Sequence, residues 1–227
     1  MTKRFLFATF TTGLVTGLLA ACGDADTTTT ATAASGERSS FELPNDHAIG
    51  SADAPVTIVE YASVVCGACA NWSSTVYPEL KSKYIDTGDV RFVFREFPTN
   101  PIQLFDAGVM IANCADDREP GAFFDSVKLQ MERQSEILAY AAQDPAALRD
   151  QYIFLAKEGG MNAEEMEACL ANEEIREEYQ ERTQTGYDIG ISGTPNFLIN
   201  GEYVKGIFTI EDFDAAIAEA KASAASG

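Results

Sequence analysis

A single histidine, His47, is all that this chain of 227 residues provides, so no Ser–His or Cys–His couple can form in a domain core. Standing alone in Asp46-His47-Ala48-Ile49-Gly50, it reads as a surface residue. Basic residues are also scarce, with 16 Lys and Arg against 35 Asp and Glu, and the net charge of −19 argues against a nucleic-acid partner. Cysteine is limited to five, with no second Cys-x-x-Cys and no Cys/His pair. A structural zinc wants four ligands, so neither a metal nor any other cofactor is expected. Large apolar residues are missing from Gly23 to Ser40, a Thr-, Ala- and Ser-rich stretch that cannot bury enough surface to offset its ordering entropy. Internal repeats are absent as well.

What is present starts with Lys3 and Arg4 and an uncharged run from Phe5 to Ala21, which reads as an export signal over residues 1–21. Its end, Leu19-Ala20-Ala21-Cys22, resembles the lipobox of bacterial lipoproteins, in which the cysteine is acylated and becomes the mature N-terminus. An ordinary signal with an incidental Cys22, or an uncleaved anchor, stays open beside it. Loss of the signal removes two positive charges and no acids, giving −19 − 2 = −21 for the mature chain. Such a chain would be repelled by an anionic membrane surface, so acyl groups on Cys22 would carry the attachment. Residues 22–45 are then a tether, and 46–227 the folded domain; 46% hydrophobic residues are enough for its core.

The domain is organised around Thr57 to Trp72, an apolar β-branched run feeding Cys66-Gly67-Ala68-Cys69 and a helix-compatible sequence. Strand, tight turn and helix N-terminus follow from this pattern. A cysteine at a helix start sits beside unpaired N–H groups at the positive end of the dipole, which favours its thiolate. Cys66 is therefore the candidate nucleophile, and Cys69, one turn further in, the resolving thiol. Glu60, in an otherwise apolar strand, is expected to be buried and to act as proton acceptor for Cys69. The helix after Cys66 should run to Asp86 with a kink at Pro78, and Val90 to Phe97 forms the next strand. From about 103 to 187 the spacing is helical, with four or five helices, starts at Asp106, Asp144-Pro145 and Asn162 to Glu165, and stops at Glu119 to Gly121 and Gly159-Gly160. Asn196 to Ile199, Asn200-Gly201 and Glu202 to Lys205 form a hairpin of type I′, and a last helix starts at Thr209.

Glu60, the Cys66–Cys69 pair and Gly193-Thr194-Pro195-Asn196 together resemble the active site of the thioredoxin superfamily, more narrowly of DsbA-like thiol:disulfide oxidoreductases, over about Asp46 to Ala220. The resemblance implies an α/β thioredoxin fold with an inserted helical domain. It also implies that Thr194-Pro195 is a cis-proline loop facing Cys66 and lining the substrate cleft, and that the protein acts in the periplasm. The partners implied are exported proteins with thiols or disulfides and a membrane redox partner that recycles the pair; a monomer is expected, because residues 23–40 leave no room for a dimerisation domain. Cys114 and Cys169 are left over as an even pair in an oxidising compartment, and a disulfide closing 55 residues between them would stabilise by roughly 4 kcal/mol in the chain-entropy model. Two buried free thiols are the alternative.

Direction of electron flow depends on Gly67-Ala68. Strongly oxidising members of the superfamily resemble Pro-His there, and Ala68 supplies neither the charge nor the donor of a histidine. Cys66 should then have a pKa between about 3.5 and 8.5, and the couple a potential between roughly −130 and −250 mV. A dithiol oxidase is the reading preferred; a reductase or isomerase of the same fold, or a lipoprotein in which Cys66–Cys69 is a structural clip or half a metal site, are the alternatives. The clip leaves Glu60 and Thr194-Pro195 unexplained.

Overall fold

The computed structural model describes residues 41–224. The export signal, Cys22 and most of the tether lie outside them. Five strands, β1 (His47–Ile49), β2 (Val56–Ala62), β3 (Val90–Glu96), β4 (Asn196–Ile199) and β5 (Glu202–Val204), form one sheet in the order β1-β3-β2-β4-β5. β2 and β3 run parallel, and the other pairs are antiparallel. Every residue of β2 is buried, as a near-continuous apolar run predicts for a strand covered on both faces. Alternation along the pleat sends Val56, Ile58, Glu60 and Ala62 to one face and Thr57, Val59 and Tyr61 to the other. The first face carries the large core with Trp72, Phe92 and Phe94; the second packs Val59, Tyr61 and Val93 against Phe97, Ile191 and Leu198.

Between β2 and β3 the single kinked helix expected from the sequence is three pieces. α1 (Gly67–Thr75) ends at Val76, α2 (Tyr77–Leu80) takes Pro78 into its first turn, and Lys81–Ile85 is a π-helical turn closed by Asp86 N–H donating to Lys81 O at 2.9 Å. Proline thus starts a helix here, where its missing N–H is not needed, and does not bend one.

Six helices, rather than four or five, fill the stretch between β3 and β4 among the described residues: α3 (Ile102–Arg118), α4 (Ala122–Glu132), α5 (Gln134–Gln143), α6 (Pro145–Glu158), α7 (Ala163–Leu170) and α8 (Glu173–Asp188). Asp144 caps α6 by accepting from Ala146 and Ala147, and Asn162 with Glu165 makes a capping box on α7. Asp106 is not a helix start. α3 begins four residues earlier, after Pro101, and Asp106 takes Arg176 and Tyr179 as partners. Cys114 of α3 and Cys169 of α7 are joined, with Cα atoms 6.2 Å apart. The hairpin turn has Asn200 at φ 47° and Gly201 at φ 82°, the left-handed pair that a type I′ turn requires. α9 (Ile210–Ala224) follows, with Thr209 N–H donating to Asp212 at 2.9 Å.

Two features escape sequence reading. β1 is only three residues long, and its His47 is not a surface residue: the side chain is 11% exposed, stacks on Phe123 with centroids 3.6 Å apart, and lies 2.9 Å from Asn113 Oδ1 and 3.2 Å from Asp116 Oδ2. Residues 41–45, assigned to the tether, are tied to the domain. Arg91 pairs with Glu42, while Arg95 donates to Phe41 O at 2.8 Å and to both carboxylate oxygens of Asp46. Arg95 is buried and Arg91 half-buried on the pleat, so both guanidinium groups need acceptors, and the segment before β1 supplies most of them. Among the described residues no helix is long and apolar enough to cross a membrane.

Candidate active site

Cys66 is the N-cap residue of α1, at φ −90° and ψ 117°, with no side-chain cap bond and no acid in the first turn. Nothing therefore competes with its sulfur for the free N–H groups at the helix start. The turn leading into it is built from short bonds: Cys66 N–H donates to Ser63 O at 3.1 Å, Val65 N–H to Ser63 Oγ at 3.3 Å, and Thr99 Oγ1 to Ser63 Oγ at 2.8 Å. Gly67 and Ala68 are exposed, Cys66 is half-buried and Cys69 is fully buried. A Cβ placed on Gly67 would meet only Gln134 Oε1, at 3.8 Å.

Thr194 and Pro195 arrive from the far side of the sequence. Their peptide bond is cis, and the Thr194 carbonyl accepts from Cys66 Sγ at 3.4 Å. The loop is fixed from behind by Asn196, whose Nδ2 donates to Gly193 O at 2.7 Å and whose Oδ1 accepts from Tyr203 at 2.8 Å. Pro195 is buried, and the Thr194 hydroxyl is buried with no nitrogen or oxygen partner.

Electrostatically the two thiols are driven apart. The Cys66 thiol is lowered to about 5, first by a hydrogen bond from Cys69, against the opposing effect of burial, and further by Thr194 and the N–H groups of Cys69 and Ala68. The dipole expected from sequence is present as those two N–H groups, but the neighbouring thiol contributes more. Cys69 is pushed far up by burial, by the bond it donates to Cys66, and by the charges of Glu60 and Cys66. Glu60 is 3% exposed and its Oε1 has no hydrogen-bond partner; burial, and then the Cys66 charge, raise its carboxyl to about 8. It lines a cavity of about 560 Å³ walled by Trp72, Tyr77, Phe92, Phe94 and Phe124, with Lys81 and Lys128 also lining it. At neutral pH Glu60 is thus mostly protonated, a donor within electrostatic reach of Cys66 and Cys69.

A second buried acid on the same face shows what a partner changes. Glu96 ends β3 and has no exposed side-chain surface, yet Arg182 binds it with Nε at 2.8 Å and Nη2 at 2.7 Å. Burial alone would raise its carboxyl; the Arg182 charge and bonds, with His47 and Asn113, bring it below the ordinary range. Glu60 has no such cation.

A Glu60→Gln variant should accordingly be more stable above neutral pH. With the folded carboxyl raised, the unfolded chain releases its proton first, so the wild type loses stability as pH rises from about 4.5 towards 8. The glutamine removes that loss, a gain of about 2–3 kcal/mol at pH 7 to be read from urea unfolding at several pH values. A flat difference between the two proteins from pH 5 to 8 would contradict it.

Of the sequence-derived site residues, Cys66, Cys69, Glu60, Thr194 and Pro195 converge on this one place, whereas Cys114 and Cys169 sit together in the helical insert and Cys22 lies outside the described residues. Sequence reading missed Ser63, Thr99 and Gln134, polar residues with no motif to mark them.

A family model described as Thioredoxin matches residues 42–219. The chain belongs to the thioredoxin family. Among its relatives is a Rickettsia bellii protein named "Putative protein-disulfide oxidoreductase", 32% identical over 181 residues, covering 78% of this chain and 64% of that one. Another is a Bacillus anthracis protein named "Probable disulfide bond formation protein D", 24% identical over 185 residues and covering 77% and 76% of the two chains. The chain spans about three fifths of the length of the Rickettsia proteins it matches. Among solved structures, Wolbachia pipientis alpha-DsbA1 superposes with a TM-score of 0.68 at 24% identity, covering 82% of this chain and 96% of that one. The thioredoxin fold with an inserted helical domain is thereby shared.

Proposed function

We propose that this thioredoxin-family chain exchanges disulfides with exported proteins and runs in the oxidising direction. The observation that carries the reading is the unequal placing of the two thiols: Cys66 is half-buried at the start of α1 against the Thr194 carbonyl, which goes with a thiol lowered to about 5, and Cys69 is fully buried behind it, which pushes its thiol far up. In the forward step a substrate thiolate attacks Cys66 of the Cys66–Cys69 disulfide. The S–S bond breaks, a mixed disulfide forms, and the electron pair leaves on Cys69, which takes its proton from Glu60. A second substrate thiolate then attacks the substrate sulfur of the mixed disulfide and expels Cys66 as the thiolate. Two electrons pass to the pair, the substrate gains one disulfide, and a membrane redox partner reoxidises Cys66 and Cys69. Thr194 and Pro195 line the cleft against which the substrate strand lies.

A stabilised Cys66 thiolate favours the reduced pair and so makes its disulfide oxidising. Equilibration against glutathione should place the couple between about −130 and −250 mV; a value below about −270 mV would make the protein a reductase and overturn the assignment.

The site is proposed to work as a monomer in the periplasm, held to a membrane by lipid on Cys22. This part rests on the Leu19-Ala20-Ala21-Cys22 sequence after the apolar run. Metabolic labelling with a fatty acid should mark the wild type and miss Cys22→Ser, and equal labelling of both would refute it.

A further inference from the structure

Gln134 opens α5, in the helical insert, yet its side chain is spent on the active-site turn. It is 7% exposed, and its Nε2 donates to Val64 O at 2.8 Å and to Cys66 O at 3.1 Å. The residue before it is anchored in turn: Arg133 Nη2 binds Gln151 Oε1 at 2.7 Å and Glu136 at 2.6 Å, fixing the start of α5 to α6. A rigid arm of the insert thus ends on two carbonyls that flank Val65 and Cys66.

Those carbonyls govern where the sulfur sits. The Cys66 carbonyl belongs to the peptide plane leading into Gly67, so holding it fixes ψ of Cys66 and with it the alignment of Sγ against the N–H groups of Ala68 and Cys69. Ser63 holds the Cys66 N–H and Thr194 faces its sulfur, but the carbonyl side of Cys66 has no such restraint from α1's own capping, since the N-cap makes no side-chain bond and the first turn holds no acid. Ala70 N–H also reaches the Cys66 carbonyl, at 3.1 Å, but it belongs to α1 itself and cannot restrain the helix relative to the rest of the domain.

We propose that Gln134 is a positioning residue for Cys66, through which the helical insert holds the nucleophile in register with the N–H groups that stabilise its thiolate. The proposal rests on the thiol chemistry above. It gives the insert a part in the reaction that is separate from substrate contact.

The test compares Gln134→Met, which keeps the volume and loses both donors, with Gln130→Met. Gln130 is a second buried glutamine, one turn away, whose Nε2 donates to Gly108 O and Ser126 Oγ and not to the turn. The Cys66 thiolate is titrated by its ultraviolet absorbance and by its alkylation rate in mildly acidic buffer. In Gln134→Met the thiolate pKa should rise by about one unit and alkylation should slow about tenfold, while Gln130→Met stays at the wild-type values. Wild-type titration in Gln134→Met overturns the proposal, and so does an equal shift in both variants, which would reflect general loosening. A wild-type Cys66 that titrates as an ordinary thiol overturns the functional reading itself, a different result from a silent Gln134→Met beside an acidic wild-type thiol. Should Gln134→Met fail to refold, Gln134→Ser, too short to reach either carbonyl, takes its place with the same expected shift.

Discussion

A Cys66→Ala variant loses dithiol–disulfide exchange down to background, while Cys69→Ala, which cannot form the Cys66–Cys69 disulfide, is trapped on client disulfides through Cys66. The difference follows from geometry. Cys66 is half-buried and beside the Thr194 carbonyl, so a substrate sulfur can reach it; Cys69 is 0% exposed and can be reached only by Cys66. Removal of Cys66 leaves a buried thiol with a strongly raised pKa, present as thiol at any working pH and so unreactive. Removal of Cys69 leaves a Cys66 thiolate that attacks a client disulfide, the reverse of the oxidising step, expels one client sulfur as thiolate and has no resolving partner, so mixed disulfides with client proteins accumulate. Non-reducing gels of cells expressing each variant, with insulin reduction measured on the purified proteins, distinguish the cases. Cys66-independent adducts in Cys69→Ala, or residual turnover in Cys66→Ala, would show the roles to be wrongly assigned.

The largest stability loss is expected at Arg182, far from either sulfur in sequence. Arg182→Met leaves Glu96 buried without its cation, and breaking a buried pair in this way costs about 3–5 kcal/mol. Two more acceptors lose their donor, because the same guanidinium donates to Asn113 Oδ1 at 2.7 Å and to Asn45 O at 3.0 Å, and Asn113, which itself donates to Glu96 at 3.0 Å, loses a restraint. The pH dependence supplies a signature. In the wild type the lowered Glu96 carboxyl contributes stability that is present above its unfolded pKa, near 4.5, and is lost as pH falls through its lower folded value. Without Arg182 the sign reverses: burial dominates, the folded pKa rises, and the variant loses further stability as pH increases. Urea unfolding at pH 5 and pH 8 should therefore show a larger deficit for Arg182→Met at pH 8, and Glu96→Gln added to it should recover part of that deficit. An equal deficit at both pH values would mean that lost packing, and not an unpaired carboxylate, is responsible.

How legible this was in the sequence divides along local and non-local lines. The catalytic turn, the hairpin and two of the helix starts are written in neighbouring residues: Cys66 to Cys69 on a helix start, Asn200-Gly201 at a type I′ turn, Asp144-Pro145 and Asn162 with Glu165 as caps. Glu60 stood out because an acid in a buried strand needs a reason. The partner of Glu96, by contrast, lies 86 residues away in α8, and an arginine in a very acidic helix gives no hint that it is 0% exposed. His47 is hidden for the same reason, since its strand is three residues long and defined by β3, and the side chains that cover it, Phe123, Asn113 and Asp116, lie far along the chain. Asp106 resembles a cap in sequence because an acid before an apolar run looks alike whether it accepts from backbone N–H groups or, as here, from Arg176 and Tyr179 of α8.

Gly67 leaves the redox set-point unusually free to drift. Its backbone is not in the left-handed region and a Cβ there would make only ordinary contact with Gln134 Oε1, so the position between the two cysteines can take on a side chain without backbone strain. Potential and fold are thus separable in this chain: a side chain added at this one solvent-facing position is expected to shift the redox potential of the pair while leaving Glu96, Arg182 and the sheet beneath untouched.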